Sequence, residues 1–178
     1  MSPDKKGAES RAIEILKRFG VAGPPVPAEN IARSLGAQIT YEAFDGEISG
    51  MLLRDQGTLV IGVNSRHAPT RQRFTVAHEI GHILIHEGRP VFIDRFVRVN
   101  FRDGESGTEE VEANAFAAEL LMPQTFIYAA ADRALLRHPE YTAEELARVL
   151  ARQFEVSPAA MQYRLINLEV LNAYSLAD

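Results

Sequence analysis

The chain has 178 residues, 46% hydrophobic and 24% charged, with a net charge of −5. That size and composition fit one globular domain with a real core, and the negative balance argues against a polyanion as its general partner. Cysteine is absent, which removes disulfides, thiolate metal ligands and a thiol nucleophile together, and which fits a reducing compartment.

The opening MSPDKKGAESR has charges but no apolar run behind them, and no later stretch approaches the length of a membrane span, so a soluble cytoplasmic protein is expected. Apolar spacing predicts a first helix over residues 9–19, closed by Gly20, and a short second helix from Pro27 to Gly36. Three strand-like runs follow at 38–44, 49–54 and 58–63, the last two flanking Asp55-Gln56-Gly57 as a hairpin loop. A helix is expected from Pro69-Thr70 to Gly88, a further strand within 91–101, and a polar loop over RDGESGTEE at 102–110. A strong helix over 109–122 ends at Pro123, and a shorter one over 125–136 ends at His138-Pro139. The last segment reads as two helices around Glu155-Val156-Ser157, with a capping box at Thr142 and Glu145 and an N-cap plus first-turn proline at Ser157-Pro158. The fold class is therefore α+β: a small antiparallel sheet of about three strands, packed against two helices and completed by a C-terminal helical hairpin. The expected division is residues 1–130 and 131–178.

His78-Glu79-Ile80-Gly81-His82 carries the chemistry. The chain has five histidines, and three of them fall between positions 78 and 86. On a helix, His78 and His82 project from one face and can share one metal ion, while Glu79 can reach a water bound to that metal. Two neutral imidazoles with an adjacent carboxylate are the parts of zinc-assisted hydrolysis, with one Zn2+ per chain and Glu79 as general base.

A zinc hydrolase normally has a third protein ligand. If the helix continues, His86 lies about 12 Å along it from His78, too far to share the ion. The spacing with glycine and a third histidine after the motif is also missing, since those positions are Ile85 and Gly88. Glu109, Glu110, Glu112 and Glu119 remain on the following helix. Its apolar face is read through Val111, Ala115, Ala118 and Met122, with Phe116 and Leu120 alongside. Spacing does not choose among the four glutamates, although small residues after Glu112 favour it by allowing a close helix approach.

RFTVAHEIGHILIH, followed by EANAFAAELLMP, resembles the ImmA/IrrE family of metallopeptidases. The resemblance implies His78, His82 and Glu112 as zinc ligands and Glu79 as general base. It further implies a protein substrate, a helix-turn-helix transcriptional repressor carried on a separate chain, whose cleavage relieves repression in stress responses. An oxyanion or substrate contact remains to be assigned, with Tyr163, Tyr174, His86 and Arg73 as candidates.

The competing class is a DNA-binding or protein-binding regulator that uses the C-terminal hairpin, with the metal site structural or sensory. Charge opposes DNA binding: residues 132–178 hold five Arg, no Lys and seven Asp or Glu, and the would-be recognition helix has only Arg164.

Overall fold

Local chemistry sets most of the element boundaries in the computed structural model, which describes residues 2–45, 48–86, 91–95 and 107–173. Helix α1 (Lys5–Arg18) starts four residues before the expected position, because the Asp4 carboxylate accepts the Gly7 N–H at 2.9 Å and caps it. Next come α2 (Ala28–Ser34), β1 (Ala37–Glu42), β2 (Ile48–Asp55) and β3 (Thr58–Asn64). Helix α3 (Pro69–Ile85) carries the HExxH motif, and β4 (Val91–Arg95) follows it. The rest is helical: α4 (Thr108–Leu121), α5 (Gln124–Arg137), α6 (Ala143–Phe154), α7 (Pro158–Asn167) and the short α8 (Val170–Ala173).

The α+β class holds, but the sheet differs in detail from three antiparallel strands. It has four, in the order β1-β3-β2-β4, and β1 runs parallel to β3 while β2 is antiparallel to β3 and β4. The reason lies in the β2–β3 turn. Gln56 and Gly57 both have positive φ, +44° and +84°, which is what a two-residue hairpin demands. That hairpin pairs β2 tightly with β3, and β3 inserts between β1 and β2. The strand expected in 91–101 is β4; residues 96–101 lie outside the described residues, as do 102–106 of the expected loop. Thr108 to Glu110, also assigned to that loop, form the first turn of α4, where Glu109 and Glu110 suit the positive end of the helix dipole.

Helix α3 covers the sheet. Val76, Ala77 and Ile80 are fully buried, as are Leu52, Ile61 and Val63 of β2 and β3. Helix α4 lies against α3 on one side and α1 on the other. One cluster of buried side chains runs from Ala8 through Leu146, Leu150 and Phe154 to Val170, so the segments 1–130 and 131–178 share a core. The capping box forms as expected, with the Thr142 hydroxyl accepting the Glu145 N–H and the Glu145 carboxylate accepting the Thr142 N–H. Ser157 Oγ caps α7 by accepting the Ala160 N–H at 3.1 Å. Arg164 of α7 is buried, donates to the Met122 carbonyl at 3.0 Å and forms an ion pair with Glu119 of α4. Among the described residues, no helix is long and apolar enough to cross a membrane.

Candidate metal centre

Residues 75–82 of α3 are buried all round, because this stretch is enclosed between the sheet and α4. Within it His78 and His82 stand one turn apart. Their rings meet edge to face at 4.7 Å between centroids, and their Nε2 atoms are 3.0 Å apart. The carboxylate of Glu110, from the first turn of α4, faces both rings: Oε2 is 3.2 Å from His78 Nε2 and Oε1 is 3.3 Å from His82 Nε2. Ligand atoms about 2.0–2.2 Å from a tetrahedral ion stand roughly 3.3–3.5 Å apart, so this donor set fits a single divalent cation with little adjustment. The imidazole side chains are 1–2% exposed and the Glu110 side chain 28%, so solvent reaches the cluster from the carboxylate side.

The electrostatics suit a cation. Burial alone would raise the Glu110 carboxyl, but hydrogen bonds from the two imidazoles outweigh it and hold the group well below the usual carboxylate range. Burial lowers His82, against the opposing pull of Glu110, which favours the neutral imidazole that ligation requires. The Nδ1 atom of His78 lies 3.1 Å from Asn114 Oδ1, an acceptor that leaves Nε2 facing the cluster. Asn114 escaped the sequence reading, although it lies one helical turn beyond Glu110.

The carboxylate brought to the imidazoles is thus Glu110's, whereas Glu112 was expected there. Two residues correspond to about 200° of helix rotation. Glu112 consequently turns to the other side, where its Oε2 is 2.9 Å from His86 Nε2 and its Oε1 accepts the Asp4 N–H at 2.8 Å. The difference is one of helix phase: the buried face of α4 runs through Ala113, Phe116, Ala117 and Leu120, not through Ala115 and Ala118.

Close approach of the two helices depends on Gly81, inside the motif. A Cβ there would sit 3.2 Å from Ala113 Cα and from Phe116 Cδ1. Gly81→Val is expected to push α4 outward and withdraw Glu110, with a stability loss of about 1–3 kcal/mol and weaker metal uptake. Thermal melts and chelator competition measure both; an unchanged variant would show that the contact is not needed.

Glu79 is completely buried and lies over β2, where a Cβ on Gly50 would come within 3.2 Å of its Oε1. The guanidinium of Arg54, also on β2, donates to the carbonyls of His82 at 2.5 Å and His86 at 2.8 Å, which satisfies the end of α3. Helix α3 stops at Ile85, short of the expected Gly88, and His86 takes a non-helical conformation with φ −112° and ψ 88°.

The remaining candidates separate. His86 abuts His82 through Nδ1, on the side away from the cluster-facing Nε2. Arg73 donates to the carbonyls of Val26 and Glu155, tying α3 to the 24–27 segment and to the α6–α7 connection. Tyr163 is 43% exposed on α7, a helix packed chiefly on α6 and α8. Tyr174 lies outside the described residues.

Two buried imidazoles one helical turn apart, joined by a carboxylate from a second helix, define the donor set of an HExxH-plus-glutamate metal site. Residues 32–166 match the IrrE N-terminal-like domain, and the chain belongs to that family. It is 32% identical over 161 residues to the radiation response metalloprotease IrrE of Deinococcus deserti, which covers 89% of this chain and 53% of that protein. It is 35% identical over 108 residues to the radiation response metalloprotease IrrE of Deinococcus radiodurans, covering 60% of this chain and 30% of that one. The chain thus spans about half the length or less of these relatives.

Proposed function

We propose that the chain is a zinc-dependent endopeptidase acting in the cytoplasm, with His78, His82 and Glu110 as metal ligands and Glu79 as general base. The observation that carries this reading is the convergence of two imidazole Nε2 atoms, 3.0 Å apart, with one oxygen of the Glu110 carboxylate 3.2 Å from the first and the other 3.3 Å from the second. Zinc held there would supply Lewis acidity toward a peptide carbonyl and lower the pKa of a water molecule toward neutrality. His78 and His82 hold their Nε2 atoms toward the cluster, and the Glu110 carboxylate offsets the charge of the ion. Glu79 takes the proton of the attacking water and delivers it to the departing amine.

The substrate in this reading is a helix-turn-helix transcriptional repressor on a separate chain, and its cleavage relieves repression under stress. The names of the two relatives, radiation response metalloproteases, support the stress setting. The burial of Arg164 weighs against the DNA-binding alternative: the only basic residue of α7 is 6% exposed and engaged with Glu119. The C-terminal helices serve instead to complete the shared core.

The test is incubation of the purified protein with helix-turn-helix repressors from the same genome, with and without a chelator, followed by mass analysis of the fragments. Metal-dependent cleavage at a defined peptide bond is the expected outcome. An intact repressor in the presence of zinc contradicts the substrate assignment.

A further inference from the structure

The mechanism leaves two polar groups without a task, buried His86 and half-buried Glu112, and they are joined to His82 in an unbroken line. His86 is 7% exposed and the Glu112 side chain 14% exposed. Reading outward from the cluster, His82 Nδ1 is 3.0 Å from His86 Nδ1, and His86 Nε2 is 2.9 Å from Glu112 Oε2. The other carboxylate oxygen, Oε1, accepts the Asp4 N–H at 2.8 Å.

Proton placement along this line is determined at both ends. One oxygen of Glu112 accepts the Asp4 N–H and the other faces His86 Nε2, and a carboxylate can only accept there. His86 must then carry its proton on Nε2, which leaves Nδ1 as an acceptor. His82 must donate from Nδ1, and its Nε2 lone pair is left facing the cluster. Along this line the direction of donation runs from His82 toward a carboxylate. The same arrangement fixes the ring of His86, whose backbone carbonyl is gripped by Arg54.

We infer that His86 and Glu112 form a positioning relay for His82: they hold its tautomer and ring orientation and raise its basicity toward the metal. This rests on the reading of His78, His82 and Glu110 as ligands. Outer partners of ligating imidazoles commonly contribute 10–100-fold to metal affinity. A histidine inserted between the ligand and its carboxylate lets α1, through Asp4, support a site on α3.

Zinc affinity measured by competition with a chromophoric chelator tests the relay, with melting of the metal-free proteins as the control for folding. His86→Leu and Glu112→Leu are each expected to weaken zinc binding about 10–100-fold. His86→Asn, whose Oδ1 can accept the His82 Nδ1–H, is expected to bind close to wild type, a recovery that mere space-filling would not give. Glu110→Ala is expected to lose far more than any of these. Wild-type affinity in both leucine variants, or no recovery in His86→Asn, overturns the relay. A loss in Glu112→Leu as deep as in Glu110→Ala also overturns it, by placing Glu112 on the metal. If His86→Leu does not fold, Glu112→Leu and His86→Asn decide the matter. Failure of the wild-type protein to bind zinc at all sinks the ligand reading instead, which keeps the two failures apart.

Discussion

Glu79→Gln is expected to retain the metal at wild-type affinity and to lose peptide hydrolysis by about 10²–10⁴-fold, the usual contribution of a positioned general base. The amide has nearly the shape of the carboxylate, so it fits the buried position of Glu79 beside Gly50. It cannot take a proton from water. Because Glu79 lies outside the triangle formed by His78, His82 and Glu110, its replacement should leave that triangle intact. Rates of fragment formation, set beside metal content, test this directly. A variant that cleaves at the native rate removes Glu79 from the chemistry, and one that loses the metal makes it a ligand.

Arg164→Met is expected to destabilise the protein by about 3–5 kcal/mol, the cost of leaving one partner of a buried ion pair without the other. Glu119 is 4% exposed, and burial already pushes its carboxyl above the ordinary range against the pull of Arg164. Removing Arg164 also takes a donor from the Met122 carbonyl. For a chain of this size the melting temperature should fall by roughly 10 °C. The double variant Arg164→Met with Glu119→Leu should recover much of the loss, since no charge is then stranded. A single variant that melts within a degree or two of wild type contradicts the assignment of α7 as a structural element clamped to α4.

How far the sequence could be read depended on whether position alone set the chemistry. His78, Glu79 and His82 were legible because spacing within one helix places them without any tertiary information. The capping box at Thr142 and Glu145 and the cap at Ser157 were legible for the same reason: each acts within one turn. The carboxylate that meets the two imidazoles was not. Helix α4 is enclosed by α1 and α3, so apolar residues occupy more than one of its faces and the pattern gives no reliable phase. The small residues after Glu112 and the family resemblance led to Glu112, whereas the close contact of Ala113 with Gly81 brings Glu110 to the cluster. The end of α3 falls before the expected Gly88, at a C-cap whose surroundings are tertiary: the His86 N–H still bonds the His82 carbonyl, and Arg54 of β2 donates to the carbonyls of His82 and His86. The parallel pairing of β1 with β3 is likewise a matter of which strand arrives beside which, and alternation along a single strand is silent on it.

Metal analysis of the purified, folded protein bears most directly on all of this. After dialysis against zinc, the account predicts one equivalent per chain, retained in Glu79→Gln and lost in both His82→Ala and Glu110→Ala. A correctly folded wild-type protein that takes up no divalent cation, or a Glu110→Ala variant that holds a full equivalent as tightly as wild type, would contradict it.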